Sequence, residues 1–121
     1  DIDTPDVLEG LEKIAPVSAV RGNMDVWTRA GFLPKADLIA VEDIFIYVIH
    51  DIQKMDLVPA AAGISVVVFG HSHQPVIYTK DGVIFINPGS AGPKRFNLPI
   101  SLGRLTIDNG RIIPEIITLA D

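Results

Sequence analysis

The chain has no cysteine in its 121 residues. That excludes disulfides, thiolate zinc sites and cysteine nucleophiles together. A metal would have to be held by His, Asp, Glu, Asn or backbone oxygen. Also lacking is any apolar run of the roughly 18–20 residues that a membrane span needs, and no basic, apolar leader opens the chain. The expectation is a cytoplasmic protein that makes no use of a membrane. Positive charge is scarce, with 10 Lys+Arg against 15 Asp+Glu and a net charge of −5. This balance argues against broad electrostatic binding of nucleic acid, yet permits a small anion at a local positive centre. What is present is a core. Apolar residues make up 48% and charged residues 21%, a globular mix at a length suited to one domain. Residues 1–121 are read as that domain, with no internal repeat and no low-complexity segment.

The first element reads as a helix, with Thr4 as cap, Pro5 at the first helical position and Asp6 near the positive end of the macrodipole. Val7, Leu8, Leu11 and Ile14 give it an apolar stripe, and Pro16 ends it. Val17–Val20 reads as a short buried strand running into Arg21-Gly22-Asn23-Met24-Asp25. Val26–Asp43 shows no clean period and reads as loop with weak helix. Ile44–Ile49 is almost wholly apolar, as a strand covered on both faces would be. Pro59–Ala62, closed by Gly63, is expected to form a short helix, and Ile64–Phe69 a second buried strand. Two hairpins follow. Val76–Thr79 and Val83–Ile86 flank Lys80-Asp81-Gly82, and Leu102–Ile107 and Arg111–Ile117 flank Asp108-Asn109-Gly110. Pro114 demotes the last strand to an edge or a bulge. The class is mixed α/β, with more strand than helix.

All three histidines follow apolar strands, at His50, His71 and His73. In open α/β sheets ligands bind outside the carboxyl ends of the strands. If the chain stays extended from His71 to His73, both rings leave one face, roughly 6–7 Å apart. That spacing suits two ions about 3.5–4 Å apart better than one. A lone histidine is more often a plain polar loop residue, but three at strand ends shift the balance. Gly22-Asn23 offers a bend and an amide oxygen suited to a cation. Asn87-Pro88-Gly89-Ser90 could present backbone N–H groups to a phosphate. Each of these two is an ordinary turn when read alone.

Taken in order, Arg-Gly-Asn-x-Asp, strand and His-Asp, strand and Gly-His-Ser-His, then Asn-Pro-Gly-Ser resembles the calcineurin-like metallophosphoesterases, and within them the small bacterial phosphodiesterase branch (YfcE-like). The resemblance spans nearly the whole chain. It implies a four-layer α-β-β-α sandwich with two divalent cations at the strand ends, and hydrolysis of phosphate mono- or diesters by a metal-activated hydroxide. Carried over residue by residue, Asn23, His50 and His71 would ligate the second metal and His73 the first. Asp1 would bridge both ions, Asp25 would support Asn23, and Ser90 would lie near the bound substrate. Manganese is the expected ion, with zinc, nickel, cobalt or iron as alternatives.

Three departures from the family pattern carry expectations of their own. The opening strand with its Asp-x-His, the helix after it and the glycine before Asp1 are not in the chain, so the domain is expected to be N-terminally incomplete. Such a chain should hold at most one ion well and turn over weakly. Met24 stands where many relatives carry a histidine that protonates the leaving group. Asp51 stands where glycine is frequent, its carboxylate within possible reach of a metal. The expected partner is a small phosphoester, with homo-oligomerisation through an apolar sheet edge as an added feature. The competing reading is a non-catalytic protein-binding scaffold of the same fold, like the retromer scaffold subunit. A blander third reading is a sandwich domain whose histidines are incidental.

Overall fold

Asp81-Gly82 and Asn109-Gly110 both turn the chain with positive φ, 52° and 77° in the first pair and 52° and 79° in the second. Positive φ at both central residues is the two-residue hairpin geometry that matches the right-handed twist of the flanking strands. These turns set the register of two of the three hairpins. The structure, a computed structural model, describes residues 5–22, 33–92, 94 and 97–120.

Seven strands are described: β1 (Ala36–Val41), β2 (Ile44–Ile49), β3 (Val66–Phe69), β4 (Val76–Lys80), β5 (Val83–Asn87), β6 (Ile100–Asp108) and β7 (Arg111–Ala120). The first five form one sheet in the order β1-β2-β3-β5-β4, and the last two form a separate hairpin sheet. β2 pairs parallel with β3, and β3 parallel with β5. β1 and β4 close the two edges antiparallel. The carboxyl ends of β2, β3 and β5 therefore point the same way, which brings His50, His71 and Asn87 to one rim.

The central strands are apolar throughout because both of their faces are covered. Val66 and Val67 are consecutive, hence on opposite faces, and both are 0% exposed. On one face Tyr47, Ile49, Val67, Val83 and Phe85 pack under Ile52, Met55 and Leu57. On the other, Ile46, Val66 and Ile86 pack against Leu105 and Ile107 of β6 and Ile112 and Ile116 of β7. Burying one such side chain contributes about 1.5–3 kcal/mol, so the contact between the sheets is a main source of stability. The α/β sandwich class expected from the sequence is the one the chain adopts. Among the described residues no helix is long and apolar enough to cross a membrane.

Four elements differ from the sequence expectation. Helix α1 (Pro5–Glu12) stops short of Pro16. Its last turn tightens, with the Ile14 N–H on the Leu11 carbonyl at 2.9 Å, as helices commonly do before a residue that proline keeps from helical geometry. Of the expected stripe, Leu8 is buried, whereas Val7, Leu11 and Ile14 are 47%, 47% and 82% exposed. Val17–Val20 forms no strand among the described residues, since a strand exists only through a paired neighbour. Ala36–Val41, inside the stretch read as loop with weak helix, is a strand. Its identity comes from pairing with β2 across a turn at Glu42, whose φ is 54°. Pro59–Ala62 makes a single turn, the Ala62 N–H meeting the Val58 and Pro59 carbonyls at 3.1 Å; a nucleus this short does not propagate. Pro114 lies opposite Leu105 in the two-stranded sheet, where each strand is an edge, and the irregularity falls between Ile100 and Ser101.

Candidate metal centre

The last parallel pair of β2 and β3 is Ile49 with Phe69. One residue further on, the Gly70 N–H donates to the His50 carbonyl at 2.9 Å. This extra rung carries the two strand tips forward together. The imidazole of His50 packs beside this tip, where a β-carbon on Gly70 would lie in ordinary contact, 3.6 Å from His50 Nδ1. His71 follows with φ 74°, and its ring meets that of His50 edge to face, with centroids 5.3 Å apart and planes at 81°. Two imidazoles from different strands thus converge on one rim.

The premise of an extended His-Ser-His does not hold. His71 and His73 have φ of 74° and 62°, both left-handed, so the alternation that would align their rings on one face is absent. His71 is exposed and His73 half-buried. The turn is held from behind. Asn87, at the end of β5 and 0% exposed, donates from Nδ2 to the Gly70 carbonyl at 3.1 Å and to Ser72 Oγ at 3.2 Å. Its Oδ1 accepts from the Gly89 N–H at 2.9 Å. The sequence marks Asn87 only as part of the Asn87-Pro88-Gly89-Ser90 loop motif. The available signal was a carboxamide closing a strand of β-branched and aromatic residues.

The other candidates are placed as follows. Asp1, Asn23 and Asp25 lie outside the described residues. Ser90 is anchored by its carbonyl, which accepts from the Ser101 N–H at 2.9 Å, and its hydroxyl takes the Gly92 N–H at 3.3 Å. Asp51 uses its carboxylate as a cap, accepting from the Gln53 N–H at 3.1 Å at the start of a 3₁₀ turn over Ile52–Lys54. That bond gives Asp51 a structural task at the tip of β2.

The donor chemistry of the rim fits a divalent ion in part. Neutral imidazoles suit zinc, copper, iron and nickel, and tolerate manganese beside oxygen donors. The Nε2 atom of His50 is buried and makes no hydrogen bond among the described residues. No group of three or more His, Asp or Glu that could hold a metal occurs among those residues. Of the four sequence candidates for the second ion, His50 and His71 lie among the described residues, and Asp1 and Asn23 do not. Beside His50, a cleft of about 250 Å³ runs between Leu8 and Leu11 of α1, the Val17–Val20 segment and the ends of β2 and β3.

Residues 1–110 match the calcineurin-like phosphoesterase superfamily domain. The chain belongs to this superfamily. It is 34% identical over 125 residues to a probable metallophosphoesterase of Methanothermobacter thermautotrophicus, covering 97% of this chain and 71% of that protein. A crystal structure of a predicted phosphoesterase from Streptococcus pneumoniae TIGR4 superposes with a TM-score of 0.71 at 24% identity, over 93% of this chain. The chain spans 64% of that protein's length. Vps29 from Entamoeba histolytica, solved as a complex with zinc, superposes with a TM-score of 0.70 at 19% identity, over 95% of this chain and 76% of that one. At these identities the two structures carry the fold alone. Calcineurin-like phosphoesterases generally bind divalent metals as a family.

Proposed function

We propose that the protein hydrolyses phosphate mono- or diesters at a divalent-metal centre on the rim formed by β2, β3 and β5. The observation that carries this reading is the edge-to-face approach of His50 and His71 from two parallel strand tips. It occurs in a chain of the phosphoesterase superfamily. The bound ion would supply Lewis acidity, acidifying water and neutralising phosphoryl oxygens, so that no nucleophilic side chain is required.

This chain's residues would do the rest. His50 is the fixed ligand, its ring seated against Gly70 and its backbone tied to the neighbouring strand tip. His71 is the ligand facing solvent, where an incoming phosphoester can reach the same ion. His73 serves a second ion, and Asp1 and Asn23 complete the oxygen donors. Asp25 orients the Asn23 amide in the way that outer contacts fix ligands. Ser90 contributes to substrate binding from the neighbouring loop. Manganese is the ion we assign, with zinc, nickel, cobalt and iron as alternatives of similar ligand preference. The acidic balance of the chain favours a small ester over a polyanion, and we place the reaction in the cytoplasm.

The test is turnover of a chromogenic phosphodiester by the full-length protein loaded with manganese or zinc. His71→Ala should lower kcat/KM by more than about 100-fold, beyond the roughly 10–100-fold typical of groups that only orient a ligand. Unchanged turnover in that variant sinks the reading. A second reading, a protein-binding scaffold, is favoured by the edge strand β4, where Val76, Ile77 and Tyr78 are 39%, 37% and 40% exposed. Under that reading neither form hydrolyses the diester, and His71→Ala leaves partner capture intact.

A further inference from the structure

Among the described residues, the polar side chains buried in the core are Asn87 and Ser101, 0% and 1% exposed. An apolar residue would fill a fully buried strand position at lower desolvation cost, since each unmet polar group there costs about 1–3 kcal/mol. Asn87 avoids that cost only through a particular geometry. Its Nδ2 donates to the Gly70 carbonyl and to Ser72 Oγ, and its Oδ1 accepts from the Gly89 N–H. Both N–H groups and the oxygen of the carboxamide are thereby engaged. Gly70 and Ser72 are the residues on either side of His71. His71 itself holds a φ of 74°, a left-handed conformation that costs a non-glycine residue about 1–2 kcal/mol. Ser101 belongs to the same strut, but its Oγ donates to the Pro88 carbonyl at 2.7 Å, one residue past Asn87, rather than to the Gly70–Ser72 turn.

We infer that Asn87 is the positioning residue of the metal centre. By gripping the backbone on both sides of His71, its carboxamide stabilises the left-handed turn and aims the His71 ring at His50. This rests on the metal-centre reading above, and the two separate experimentally. The geometric arm needs no metal: ring-proton NOEs between His50 and His71 should be visible in the metal-free, full-length protein. They should be lost in Asn87→Ala while NOEs across β2 and β3 persist. The second arm is calorimetric titration with zinc alone, in which Asn87→Ala should bind roughly 10–100-fold more weakly than wild type. Ser101→Ala is the comparison. It removes a buried bond of the same strut and should lower the urea midpoint with ring NOEs and zinc affinity unchanged. Should Asn87→Ala not fold, Asn87→Asp keeps the acceptor for Gly89 and replaces the donor to Gly70 by an oxygen, and it should show the same losses. Retention of the ring NOEs in a folded Asn87 variant overturns the inference, as does wild-type zinc affinity in it. Failure of the wild type to bind zinc would instead count against the metal-centre reading and leave the NOE arm to decide the role of Asn87.

Discussion

Gly89 lies so close to Ser101 that a side chain on it would run into the buried Ser101 hydroxyl, and its φ is 82°. Backbone conformation and packing therefore both demand glycine at this point of the Asn87–Ser90 loop. Gly70, on the same rim, is under no such demand. A β-carbon there meets its nearest neighbour, His50 Nδ1, at 3.6 Å, an ordinary van der Waals distance.

The two glycines should thus respond differently to alanine. Gly89→Ala is expected to lose about 2–4 kcal/mol, combining left-handed strain with overpacking in a site that cannot yield. Gly70→Ala should stay within about 1 kcal/mol of wild type. Urea unfolding of both variants checks this, and equal losses would show that the Gly89 loop relaxes freely.

His50 and His71 should act as one unit. If both rings serve the same ion, either substitution by alanine disables the centre, and the double variant is no worse than the poorer single one. A kcat/KM cycle over the four proteins should give a coupling energy close to the smaller single effect. Wild type stripped by a chelator should fall to the same floor and recover on adding manganese or zinc. Additive losses would mean that the rings work independently.

Tyr47 sets an alkaline limit to stability. Burial, and then the nearby Asp56 carboxylate, hold its phenol above the ordinary 10.0. Above that pH the unfolded chain has released the proton while the folded one retains it. Its contribution to stability is therefore full below about pH 10 and falls as pH rises through the folded value. Urea midpoints measured at pH 9 and pH 11 should show the decline, and Tyr47→Phe should flatten it. An unchanged slope in Tyr47→Phe would assign the decline to other groups.

Much of the rim is legible in the sequence. Ile44–Ile49 read as a strand covered on both faces because near-continuous apolar character has few other uses at that length. Asp81-Gly82 and Asn109-Gly110 announced their hairpins, since few residue pairs accept positive φ at both positions. The reading of Val26–Asp43 as loop with weak helix, where Ala36–Val41 is a strand, and the reading of Val17–Val20 as a strand fail for one reason. Strand character is conferred by a paired neighbour, and Ala36–Val41 has β2 alongside it. The His71–His73 spacing misled because period two holds only in an extended chain, and the turn there is imposed by Asn87 from 15 and 17 residues away.

The chain's own order of residues decided which donors exist, that no thiol is among them, and that two imidazoles directly follow two apolar segments. Those are local properties, readable wherever side-chain type and backbone preference act over a few neighbouring positions. The folded molecule decided that the two segments run parallel, that their tips stay in step for one rung more, and that a buried carboxamide bends the second tip toward the first. Such placement depends on contacts between residues remote along the chain, and a preference spanning a few residues cannot encode it.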